Sequence, residues 1–181
     1  MAKDKKLTPN GIIISFKDEF KTNIKDAQIK KKPAGSKKKE AIDIWMKVDK
    51  SAFKNVIKHL VHMQYPHLAI ISGNDLGKNI ELIYHFTLNF DERLEEINFN
   101  LSVELPKTKP EIETICDLIP GALITEREKQ EFLGVKIKGI PDDRRLFLPD
   151  DFPKDLYPWR RDEKGLEKLY KNLHEVKKWA R

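Results

Sequence analysis

The chain contains very little cysteine. Cys116 is the one cysteine among 181 residues, which excludes an internal disulfide and any cysteine-built metal or iron–sulfur site within this chain. No GxGxxG or Walker sequence is present either, so we expect no cofactor in the chain itself. Methionine is also scarce, with 3 residues, whereas 35 basic and 29 acidic residues are present. This composition favours a heat-adapted source.

Long apolar runs are missing as well. No stretch approaches the ~18 consecutive apolar residues that a membrane span requires. The N-terminal residues Lys3, Lys5 and Lys6 lead into a polar stretch rather than the apolar segment of a signal peptide. We therefore expect a soluble chain in the cytoplasm.

The net charge of +6 is concentrated near the N-terminus. Residues 1–40 contain twelve Lys and no Arg against five acids, a balance of +7, and the remaining residues balance to −1. Much of the excess lies in the sequence KKKPAGSKKK, residues 30–39, which predicts a solvated hairpin tip. Nucleic-acid binding by this basic loop is the alternative, although the loop lacks the Arg and aromatic residues typical of such surfaces.

The apolar pattern predicts an α+β fold, a mainly antiparallel sheet with helices packed on one side. Thr8 before Pro9 is typical of a helix start, and the segments 23–31 and 40–49 predict a hairpin around the basic loop. Apolar residues at helical spacing predict a second helix over 51–65, before Pro66. The remaining pattern predicts strands at 67–73, 79–90 and 96–105, short helices at 109–119 and 124–134, and a short strand at 135–138.

The regular spacing of apolar residues ends at Pro141. This change divides the chain into a domain, residues 1–140, and an extended, Pro-rich arm, residues 141–181. Four prolines interrupt residues 141–159, yet this stretch carries many large apolar side chains. An irregular segment cannot bury these side chains against itself. The arm is therefore expected to lie on another surface, either its own domain or a neighbouring subunit, and to end in an amphipathic helix.

Charged residues cluster where the domain meets the arm. On the helix over 124–134, Arg127 reaches Glu131 at i+4 spacing. The planar side chains of Arg144 and Arg145 can each hold a carboxylate in bidentate geometry. We predict a charged clasp between the domain and the arm, formed either within the chain or across an interface.

Catalysis and metal binding are less favoured interpretations. Glu126, Glu128 and Glu131 could imitate an acid and base pair, but neighbouring carboxylates are common in a chain with 29 acidic residues. His59 and His62 have a spacing that can hold zinc, yet no third ligand has a supporting position. We expect no active site and no metal site.

The sequence from Glu126 to Asp162 resembles the signature region of the thirty-kilodalton, NuoC-type subunit of respiratory complex I, which also occurs in membrane-bound energy-converting [NiFe] hydrogenases. The similarity rests on residues in the order and spacing of the family: Glu126-Arg127-Glu128, Glu131, Phe132, Gly134, Gly139, Pro141-Asp142, Arg144-Arg145 and Leu148-Pro149-Asp150. Upstream, the segments 45–60, 67–75 and 80–86 also resemble the family, so the similarity covers about residues 40–160. Leu123 to Thr125 and Ile140 replace aromatic and His residues of complex I members, and make the chain more similar to the hydrogenase or ferredoxin-linked branches.

This resemblance implies a non-catalytic assembly subunit in the peripheral arm of a membrane-bound, ion-translocating oxidoreductase. Its partners would be a hydrogenase-like large subunit and an iron–sulfur small subunit, which would hold the iron–sulfur clusters and a NiFe centre. The chain would reach the membrane only through the complex. Candidate partner-interface residues are Glu126, Arg127, Glu128, Glu131, Arg144, Arg145, Leu146, Leu148, Phe152, Tyr157 and Trp159.

Overall fold

A five-stranded sheet with three helices forms the domain. The structure, a computed structural model, describes residues 7–34, 39–91 and 95–161. In chain order the elements are α1 (Pro9–Phe20), β1 (Ile24–Ala34), β2 (Lys39–Val48), α2 (Phe53–Met63), β3 (His67–Asp75), β4 (Asn79–Leu88), β5 (Ile97–Pro106), β6 (Glu111–Glu113), α3 (Leu123–Leu133) and β7 (Lys136–Lys138). Short 3₁₀ helices, Lys21–Asn23 and Pro120–Ala122, follow α1 and precede α3. The terminal helix expected after residue 161 lies outside the described residues.

The sheet has the strand order β1-β2-β5-β4-β3. Its pairings are antiparallel except that between β2 and β5, which is parallel. This confirms the predicted α+β class with a mainly antiparallel sheet. The strands β1 and β2 form the predicted hairpin around the basic loop, and they pair from Ile24 with Val48 to Ala34 with Lys39.

The helices begin and pack as the apolar pattern predicts. The Thr8 side chain accepts a hydrogen bond of 3.2 Å from the Gly11 amide and caps α1. Phe16 of α1 stacks on Phe99 of β5 with ring centroids 5.3 Å apart. Both α1 and α2 therefore cover the apolar face of the sheet, and the core forms between these helices and the strands.

One predicted element is wrong. Residues 109–119 form no α-helix; they contain the short strand β6, followed by turns. Ile112 is buried and pairs in parallel with Ile137 of β7, while Glu113 is exposed. The Glu-Ile-Glu alternation suits a strand, and the pairing with β7, far along the chain, outweighs the local helical pattern.

The described part of the arm, residues 141–161, contains no helix or strand, as predicted. Two glycines precede it in the left-handed conformation, Gly134 at the end of α3 with φ of 66° and Gly139 after β7 with φ of 76°. Glycine adopts this conformation without the steric cost of a Cβ atom. The chain thereby reverses twice, and the arm returns along α3 of its own domain.

Candidate partner interface

The first turn of α3 is fixed by a buried carboxylate. Glu126 is 0% exposed and accepts hydrogen bonds from the Thr114 hydroxyl at 2.5 Å, the Ile115 amide at 2.8 Å and the Cys116 thiol at 3.2 Å. Burial raises the pKa of Glu126, although these hydrogen bonds oppose the effect. Glu126 therefore joins α3 to the segment after β6, and its burial removes it from the surface that a partner can contact.

Arg127 connects α3 to the backbone of the arm. Its guanidinium donates to the carbonyls of Arg144 at 2.8 Å and Arg145 at 3.0 Å, and lies 3.2 Å from the Asp142 carboxylate. Arg127 is only 8% exposed. The predicted i+4 contact with Glu131 does not describe this geometry, because both side chains turn to the arm instead.

Glu131 holds the next part of the arm. Its carboxylate accepts hydrogen bonds from three successive backbone amides, those of Leu146, Phe147 and Leu148, the last two at 2.9 Å. Such bonds to a charged acceptor are stronger than those between neutral groups. Arg127 and Glu131, one turn apart on α3, thus bind the carbonyls and amides of neighbouring arm residues.

The two adjacent arginines of the arm behave differently from each other. Arg144 holds the carboxylate of Asp142 in the predicted bidentate geometry, at 2.9 and 2.8 Å. These hydrogen bonds keep the pKa of Asp142 below its usual value. The prediction of a carboxylate partner is wrong for Arg145, which donates to the carbonyls of Pro149 at 2.7 Å and Phe152 at 2.9 Å. Both arginines therefore stabilise turns within the arm.

Aromatic side chains line the contact between the arm and the end of α3. Phe132 stacks on Trp159, with centroids 4.6 Å apart, and lies 5.8 Å from Phe147. The Trp159 amide also donates to the Phe132 carbonyl at 3.0 Å. Lys129 lies beneath this layer, 4.5 Å from the centre of the Trp159 ring. Its burial lowers the Lys129 pKa, and the ion pair with Glu128 opposes this shift.

The last described residues anchor the arm beyond α3. The Tyr157 ring covers Gly134, where a Cβ atom would lie 2.5 Å from the ring. Arg160 donates to the carbonyl of Leu133 at 2.7 Å, and the Arg161 amide donates to Asp75 at 2.8 Å. Burial raises the pKa of Asp75, but the hydrogen bonds that it accepts outweigh burial and lower the pKa to about 2.

The structure brings most of the predicted interface residues together. Leu148, Phe152 and Tyr157 are partly buried, whereas Leu146 is 37% and Trp159 is 41% exposed. Sequence reasoning missed Lys129, Phe132, Asp75 and Phe147 as parts of this arrangement. Phe132 and Phe147 could have been included in the predicted interface, since both lie in the segment that resembles the family. The positions of Lys129 and Asp75 depend on contacts with distant parts of the chain.

The basic loop has internal partners at its described residues. Lys31 forms an ion pair with Glu40 at 2.9 Å, and Lys32 lies 3.9 Å from Asp43. Lys30 lies over the Trp45 ring at 5.3 Å. The side chains of Lys31 and Lys32 are largely exposed, as expected for a solvated loop. Residues 35–38 at its tip lie outside the described part of the chain.

Within the described residues, no helix has the length and apolar character needed to cross a membrane. The model of the family described as respiratory-chain NADH dehydrogenase, 30 Kd subunit, matches residues 46–168. The chain is 35% identical to the membrane-bound hydrogenase subunit beta of Pyrococcus furiosus, over 71% of this chain and 75% of that protein. It is 33% identical to formate hydrogenlyase subunit 5 of Escherichia coli, over 68% of this chain but only 21% of that protein.

A chain of the membrane-bound sulfane sulfur reductase, an archaeal respiratory membrane complex, has a similar fold. The TM-score is 0.70 at 19% identity, over 90% of this chain and 91% of the other. The match of the family model includes α3 and the described arm, the two elements that Arg127 and Glu131 join. The chain belongs to the family of the 30 Kd subunit of the respiratory-chain NADH dehydrogenase.

Proposed function

We propose that this chain is an assembly subunit, without an active site of its own, of a ferredoxin-linked, energy-converting hydrogenase or a related respiratory complex. In this proposal it lies on the cytoplasmic side of the membrane, in the peripheral part of the complex. Iron–sulfur clusters and a NiFe centre belong to the partner subunits. The hydrogenase relatives in the family support the choice of complex.

The length of one relative supports a large partner. The region similar to this chain makes up only 21% of formate hydrogenlyase subunit 5, so a similar domain is covalently joined there to a much longer polypeptide. Covalent linkage gives two domains a high effective concentration. In this proposal, the partner of this chain corresponds to the remainder of that longer polypeptide. We assign the hydrogenase-like large subunit as that partner, with the iron–sulfur small subunit nearby.

The observation that carries the proposal is the position of the arm. Hydrogen bonds and ion pairs hold it against α3, yet Leu146, Phe147 and Trp159 remain 37%, 55% and 41% exposed. Phe147 and Trp159 are connected through Phe132, and exposed apolar side chains that lie close together are a feature of protein interaction sites. The arm is thus suited to bind a partner while it remains attached to its own domain.

Co-purification tests this proposal. The full chain, expressed with an affinity tag in a cell that makes the complex, should retain the hydrogenase-like large subunit and the iron–sulfur subunit. A chain that ends after Ile140 should lose both. Purification of the full chain without either subunit would contradict the proposed function, as would equal recovery by the shortened chain.

A further inference from the structure

The charged residues between the domain and the arm already have partners within the chain. Arg127 binds two arm carbonyls and Asp142, and Glu131 binds three arm amides. Arg144 is paired with Asp142 in the same arm. A partner that used Arg127 or Glu131 would have to break bonds to the arm backbone, which would leave polar groups of the arm unsatisfied.

The aromatic side chains that these bonds position remain accessible. We define the aromatic ridge as Phe132, Phe147 and Trp159, in which Phe132 contacts the two others. Phe147 is 55% and Trp159 is 41% exposed. Aromatic residues are enriched in the centres of protein interfaces, where Trp in particular contributes strongly to binding. A ridge held in place before binding also loses less conformational entropy on association.

We propose that the large subunit binds this aromatic ridge in an apolar groove, and that Arg127 and Glu131 position the ridge without touching the partner. This inference rests on the proposed function and specifies the chemistry of its interface. The ridge exposes on the order of 200 Å², compared with ~800 Å² for each side of a typical stable interface. The ridge is therefore the anchor of a larger contact. Its position within the region matched by the family model supports a partner shared by the family.

Capture of the complex by the full chain distinguishes contact from positioning. Phe147→Ala and Trp159→Ala should each weaken binding of the large subunit by at least about tenfold. Ile14→Ala is the matched control, since Ile14 is 58% exposed on α1, outside the ridge. This control and Arg144→Ala should change the affinity less than about threefold, because an exposed ion pair contributes little. Capture should also persist in 1 M NaCl, which screens ionic but not apolar contacts.

Hydrogen exchange gives the separate test of the positioning residue. In Glu131→Gln, the amides of residues 146–148 should exchange faster in the free chain and recover protection in the complex, where the partner holds the ridge. A direct contact residue would leave exchange in the free chain unchanged. If wild-type chain captures nothing, the proposed function fails. If wild type is captured and the two ridge variants bind equally well, or if salt and Arg144→Ala release the partner, the ridge is not the contact and this inference alone is overturned.

Discussion

The hydrogen bonds of Glu131 lead to a quantitative prediction for the isolated chain. Its carboxylate accepts three successive arm amides. Gln retains one carbonyl oxygen but places an amide group, a donor, against further donors. One carboxylate oxygen accepts the Phe147 and Leu148 amides, and the other accepts the Leu146 amide. Glu131→Gln can therefore keep two of the bonds, now to a neutral acceptor, and loses the third. The lost bond is worth about 1.5 kcal/mol, the lower end of the range for a charged acceptor, and the two retained bonds weaken because their acceptor is now neutral, so the total cost is about 2 kcal/mol.

The resulting loss of about 2 kcal/mol should act on the arm rather than on the sheet. Since 1.4 kcal/mol corresponds to a factor of ten, local opening should become about 30-fold more frequent. Hydrogen exchange measured by mass spectrometry should show this acceleration in peptides that cover residues 144–150. Peptides from β4 and β5, which lie in the centre of the sheet, should exchange as in wild type.

The matched control is Glu113→Gln, the same chemical change at an exposed position of β6. It should leave exchange in the arm unchanged. Wild-type exchange in the arm of Glu131→Gln would show that burial, rather than the carboxylate, protects these amides. Uniformly faster exchange across the domain would show that Glu131 stabilises the fold as a whole. Either result would refute the positioning argument.

Four further substitutions test other contacts by thermal and denaturant unfolding. Gly134→Ala and Gly139→Ala each place a Cβ atom on a left-handed residue, which costs about 1 kcal/mol of stability. Gly134→Ala should lose more stability, because its Cβ atom would also collide with Tyr157. Equal losses of stability in the two variants would contradict this prediction. Glu126→Gln should lower the free energy of unfolding most in acid. Because the pKa of Glu126 is raised in the folded state, the protonated side chain stabilises the fold below pH 4.5, and this stabilisation is lost at higher pH. A loss of stability in the variant that grows with pH would contradict this prediction. Asp75→Asn should lower the free energy of unfolding at pH 7, and the difference in stability from wild type should vanish as the pH falls through about 2. A difference in stability that is independent of pH would contradict the role of this carboxylate.

The sequence predicts the sheet and helices well because their signals are local. Outward residues alternate with buried ones along β4, and Thr8 with Pro9 indicates the start of α1. The strand β6 escaped prediction because three residues carry too little periodicity, and its pairing with β7 connects positions about 25 apart in the chain. The burial of Lys129 likewise depends on distant residues, because its side chain lies between Gly73 of β3 and Trp159 of the arm.

The contacts within the charged clasp were harder to predict than its position between α3 and the arm. Spacing on a helix favours an Arg127–Glu131 pair, but such a pair contributes only about 0.2–0.5 kcal/mol. The arm, which has no helix or strand in its described part, needs other partners for its amides and carbonyls, and a buried backbone group without a partner costs more than that pair provides. Arg127 and Glu131 supply those partners. Because Arg127 and Glu131 of α3 are bonded to the irregular backbone of the arm, the exposed aromatic side chains are the groups that we propose to bind another subunit.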